Sequence, residues 1–158
     1  MGRCQQLAPG RQTAVPSSGD LRILANELHI HFESDAVSFH LGDQVQTLPA
    51  AVHVAADSSP PRVLAFGAGP GPGQASVRVD LFKPGAPVEG APDKLAFLTE
   101  FLHHGMTSLW NRRFVAATPR VVVHGVGRLG PVMGGYEQGV VLAALHAAGA
   151  NSVDFVAV

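Results

Sequence analysis

Leu28-His29-Ile30-His31-Phe32, then Glu33-Ser34-Asp35, then Ala36-Val37-Ser38-Phe39-His40-Leu41-Gly42 is the stretch that decides the fold. Leu28, Ile30 and Phe32 alternate with His29 and His31, and Val37, Phe39 and Leu41 alternate with Ser38 and His40. Alternation with period two marks strands that set one face in a core and the other toward solvent. The polar triplet between them supplies a turn, so the stretch predicts a β-hairpin. Gly42-Asp43 predicts a second turn, after which Val45 to Ala55 runs extended, with Pro49 marking an edge or a bulge. Arg62 to Phe66 adds a short apolar strand ending at Gly67. The first half therefore predicts an antiparallel meander of three or four strands.

Downstream the period changes. Ala68-Gly-Pro-Gly-Pro-Gly73 is a loop, and it lacks the Lys-Ser/Thr ending of a phosphate-binding P-loop. Val77 to Phe82 predicts one more short strand. Pro92-Asp93 suits a helix start, and Leu95, Leu98, Leu102, Met106 and Leu109 then recur at spacings of three and four, forming one buried stripe. Gly105 is expected to weaken this helix near its end, where a cationic His103 or His104 would favour the dipole. Arg120 to His124 is a β-branched run of the kind buried on both faces of a sheet. Tyr136 to Ala148 predicts a helix with Val141, Leu145 and Ala148 inward and Gly149 as its cap, and Val153 to Val158 a final buried strand. Right-handed crossovers make the last strands parallel. The expected fold is a single α/β domain over residues 20–158, a mixed sheet in which an antiparallel three-stranded meander precedes βαβ-type parallel strands at Val121 and Val153.

A chain of 158 residues suits one domain, and 46% hydrophobic residues suffice for a core. Charged residues are only 15%, so the surface is unusually neutral, and a net charge of −1 leaves no electrostatic footprint for nucleic acid or anionic lipid. Cys4 is the sole cysteine, which excludes an internal disulfide and a multi-cysteine metal site. No run of about 18 apolar residues predicts a transmembrane segment, and Met1-Gly-Arg-Cys-Gln-Gln lacks the apolar region of a secretory signal. The expectation is a cytoplasmic protein with a disordered leader over residues 1–19 and no cofactor.

The histidines offer one candidate site. An extended strand sets His29 and His31 on the same face about 7 Å apart, and His40 or His53 on neighbouring strands could add a third metal ligand, with Glu33 continuing that face. The alternative is a row of partly exposed polar positions opposite the apolar face. Gly125-Val126-Gly127-Arg128-Leu129-Gly130 is a literal GxGxxG directly after a strand. In dinucleotide folds such glycines let the backbone approach a pyrophosphate beneath a helix N-terminus. Here Pro131 and Gly134-Gly135 separate the motif from the next helix. Ser34, Ser38 and Thr107 lack a glycine elbow, and Arg112-Arg113 beside Trp110 reads as an exposed turn.

The order of elements resembles the first subdomain of the actin and sugar-kinase ATPase fold, a ribonuclease H-like arrangement, and in particular a truncated branch of the bacterial rod-shape-determining MreB proteins. Leu28 to Gly42 matches the first hairpin, Leu48 to Val54 the third strand with Arg62 to Gly67 beside it, and Pro119 to Gly125, His146 to Ala150 and Val153 to Val156 the later elements. In the active family the first turn reads like Asp-x-Gly-Thr and holds phosphates while its aspartate organises the metal. The matching positions here are His31, Phe32, Glu33 and Ser34, with glutamate where a glycine is needed. The chain stops at Val158, where the family would continue to its remaining catalytic parts. The resemblance implies a non-catalytic actin-like module acting in cell shape or filament-associated roles, with a protein partner or self-association.

Overall fold

The computed structural model describes residues 27–59, 61–83, 94–110, 120–129 and 137–157. The hairpin forms as its alternation requires. β1 (Glu27–Phe32) and β2 (Ala36–Leu41) pair antiparallel, with Ile30 opposite Phe39, and the turn closes where the Glu33 N–H donates to the Ala36 carbonyl at 2.9 Å. β3 (Gln44–Pro49) pairs with β2, and β4 (Ala51–Ala55), β5 (Val63–Phe66) and β6 (Ser76–Asp80) follow. Then come α1 (Lys94–Trp110), β7 (Arg120–His124), a 3-10 turn (Val126–Arg128), α2 (Glu137–Ala147) and β8 (Ser152–Phe155). The fold is mixed α/β, with one mixed sheet in the order β3-β2-β1-β7-β8 and one antiparallel sheet in the order β5-β4-β6. β7 lies parallel to β1 and β8 parallel to β7.

One face of the larger sheet carries Leu28, Ile30, Phe32, Val37, Phe39, Leu41, Val121 and Val123, all buried. They share a core with Leu98, Phe101, Leu102, Met106 and Leu109 of α1 and with Val141, Ala144 and Leu145 of α2. Each such Leu, Ile or Phe contributes about 1.5–3 kcal/mol on burial, so this face drives the fold. The opposite face of the sheet is left to the polar half of each alternating strand. The α2 cap forms at Gly149, whose N–H donates to the His146 carbonyl at 3.0 Å, while the Ala150 N–H donates to Leu145 at 2.9 Å.

Several expectations need correction. The third strand of the main sheet is Gln44–Pro49, not Leu48 to Val54: the chain leaves that sheet at Ala50, whose N–H donates to the Asp35 carbonyl, and continues into the second sheet. Pro49, with no N–H to give, stands at the break. Arg62 to Phe66 does lie beside Ala51–Ala55, but in that second sheet. β7 is buried on one face only, and β8 is an edge strand with alternating exposure rather than a buried one. Gly105 sits inside α1 where a β-carbon would meet the Phe39 Cζ at 2.2 Å, so its role is close approach of helix to sheet. His103 does not cap its own helix; its Nδ1–H donates across to the Ala148 carbonyl at 3.1 Å, at the end of α2. Residues 1–19, Pro92-Asp93, Arg112-Arg113, Gly130 and Tyr136 lie outside the described residues.

Candidate functional site

The open face of the main sheet gathers four histidines from three strands. β1 is central, and its period places His29 and His31 opposite the helices. Antiparallel pairing sets His40 of β2 beside His29, and parallel pairing sets His124 of β7 beside His31. His31 stacks on His124 with ring centroids 4.3 Å apart and planes 5° from parallel, and His40 tilts against His31 at 4.8 Å. His29 Nδ1 lies 3.0 Å from His124 Nε2, so one ring N–H donates to the other ring's lone pair. The His29 Nε2 meanwhile faces the Glu27 carboxylate at 3.7 Å.

Charges line the neighbouring row of the same face. Arg120 Nε–H donates to Asp154 at 2.6 Å, and its guanidinium reaches Glu27 at 3.4 Å. The histidines themselves are half-buried. Burial, reinforced by His124, His40 and His29, holds the His31 ring below the usual imidazole pKa, and burial with His29 and His40 does the same for His124. Among the described residues, no three His, Cys, Asp or Glu side chains converge in ligating geometry as they stand.

His53 is not part of this cluster. It lies on β4 in the second sheet, where its ring packs against Gly69. Glu33 leaves the face as well, lying in the exposed turn beyond the last paired residues, Phe32 and Val37. Of the other turn positions, Phe32 points into the core at 1% exposure and Ser34 is exposed. The local sequence of His124 carries only the hint that its β-branched run ends in a histidine, and a parallel pairing brings it to His31.

The described part of the glycine motif, Gly125 to Leu129, follows the carboxyl end of β7 beside that of β1, where the connections to β2 and β8 diverge to opposite sides, the position at which open α/β sheets bind ligands. Gly125 has φ +80°, and a β-carbon there would stand 2.5 Å from the Phe32 carbonyl oxygen. The following 3-10 turn buries Val126 and Leu129, whereas Gly127 faces open space. The next described helix begins only at Glu137. A separate shallow cavity of about 350 Å³ lies between Phe66 and α1, lined by Glu100, His103 and Thr107 among others. No protein-family model matches the chain, and no curated protein matches it in sequence. No helix among the described residues is long and apolar enough to cross a membrane.

Proposed function

We propose that this chain is a non-catalytic actin-like module, of the kind that resembles rod-shape-determining proteins, working through contacts with a protein partner or with further copies of itself. The observation that carries it is the main sheet: a three-stranded antiparallel meander, then two parallel strands added on the far side of β1, with α1 preceding β7 and α2 leading from β7 to β8. Apart from the second sheet inserted between β3 and α1, this element order supports the resemblance.

The residues at the first turn do not fit a nucleotide phosphate with its magnesium. The Glu33 N–H is already bonded to Ala36, Phe32 is committed to the core, and the turn presents the carboxylates of Glu33 and Asp35. Like charges about 4 Å apart at an effective dielectric near 20 repel by roughly 4 kcal/mol, about a thousandfold in affinity. Phosphoryl transfer rests on amides positioned at the phosphates, and in this turn the Glu33 amide is taken up by the Ala36 carbonyl. The Gly125 loop supports a structural role in place of a phosphate cradle, because its glycine is needed for contact with Phe32.

Two measurements test the proposal. Calorimetry of the chain with ATP and magnesium is expected to give no heat, and sedimentation over a concentration series is expected to show self-association, or a stable complex with an actin-like filament protein. Micromolar ATP binding that is lost in Ser34→Ala would overturn it in favour of a working phosphate site. So would an experimental structure in which β7 does not pair with β1.

A further inference from the structure

We propose that the open face of the main sheet binds one late first-row divalent cation, such as Zn²⁺, through ring nitrogens of His29, His124 and His31. The separation of the first two already suits such an ion. Metal–nitrogen bonds of about 2.0–2.1 Å set two ligating nitrogens about 3.4 Å apart in a tetrahedral site and about 2.9 Å apart in a square one. His29 Nδ1 and His124 Nε2 are 3.0 Å apart. They come from adjacent parallel strands and are diagonal neighbours, His29 opposite Val122 and His124 opposite His31, so the backbone ladder fixes their spacing without help from a loop.

The third ligand is at hand. His31 faces His124 directly across the ladder, 4.3 Å between ring centroids, and sits on the open, half-buried side of the sheet. Its ring lies parallel to that of His124, so an ion in the plane of one ring is out of the plane of the other. Ligation by His31 requires a turn about its side-chain torsions, and such rotations are fast for a ring not locked in a core. His40, tilted against His31 at 4.8 Å, limits how far that ring can swing away.

The surroundings match the chemistry. Imidazole ligands favour zinc, copper and nickel over magnesium or calcium, which take oxygen donors. A ligating histidine commonly turns its other nitrogen to a carboxylate, and with Nδ1 toward the ion, His29 presents Nε2 to Glu27 at 3.7 Å. Glu27 is in turn held by Arg120, which Asp154 anchors. Three imidazoles leave a fourth position for water.

The test uses the full, tag-free chain stripped with chelator. Titration with ZnCl₂ followed by calorimetry is expected to saturate at one ion per chain. In the same titration, NMR of the wild-type histidine rings is expected to shift His29, His31 and His124 while leaving His53 and His146 in place. His29→Gln and His124→Gln are each expected to weaken binding by about tenfold or more, and Glu27→Gln to weaken it with all three ring shifts retained. The wild-type ring shifts do not depend on any variant folding. Failure to saturate below about 100 µM, or saturation with the ring shifts confined to other histidines, would overturn the proposal.

Discussion

Gly125→Ala separates a structural glycine from a phosphate-binding one. At φ +80° an alanine incurs the left-handed penalty, about 1–2 kcal/mol. Its β-carbon would also stand 2.5 Å from the Phe32 carbonyl oxygen, where ordinary contact begins near 3.4 Å. That oxygen belongs to the backbone of the central strand, so the relief has to come from parting the ends of β1 and β7. Overpacking of this kind costs about 1–3 kcal/mol. Together the effects are expected to destabilise the chain by about 2–5 kcal/mol, or roughly 4–20 °C in Tm for a chain of this size. Gly127, two residues on, has nothing within 4 Å of its β-position and a φ any residue tolerates. Gly127→Ala is therefore expected to stay within about 0.5 kcal/mol of the parent. Urea titration read by circular dichroism, with the slope checked for constancy, measures both. A Gly125→Ala protein as stable as its parent would refute the account of Gly125 as a contact between strand and turn. Equal losses at both glycines would refute it too.

Gly105→Ala should destabilise the chain even though alanine is the better helix former by about 1 kcal/mol, because the added methyl drives into the fully buried Phe39 ring; a double-mutant cycle with Phe39→Leu should show coupling of about 0.5–3 kcal/mol. Phe101→Ala, with Phe101 0% exposed and its ring against Phe39 and Phe66, should cost about 3–5 kcal/mol by urea titration. Acidification should destabilise the metal-free protein. The folded pKa values of His31 and His124 lie below the unfolded value of about 6.5, so the unfolded chain binds protons first. Their contribution is complete above that pH and is lost as pH falls through the folded values. The groups facing them are His29 and Glu27 on β1, His40 on β2, Arg120 on β7 and Asp154 on β8. Urea midpoints in chelator between pH 7 and 5 should fall less in His31→Gln than in the parent.

Local pattern was enough for most elements. The alternation from Leu28 to Leu41 dictates both strands, their turn and which face is buried, because a period of two leaves a strand only one way to bury its apolar half. The leucine stripe of α1 and the glycine cap of α2 were legible for the same reason: each is a relation between residues within a turn or two of one another. Hairpin pairing is nearly local as well, so His29 beside His40 follows from a short turn.

What the sequence could not decide is which strand takes the other side of β1. Placing His124 beside His31 depends on a parallel pairing between residues more than ninety positions apart, and nothing in either segment names its partner. The break at Ala50 is of the same kind. Leu48 to Val54 reads as one continuous extended run, yet the core accepts only part of it in the first sheet, and the rest pairs in the second. Gly105 reads in the sequence as a helix defect, and only the tertiary packing sets Phe39 against it. The histidines were visible individually from the start; only the tertiary ladder made four of them neighbours, since side chains on different strands meet through register and not through spacing along the chain.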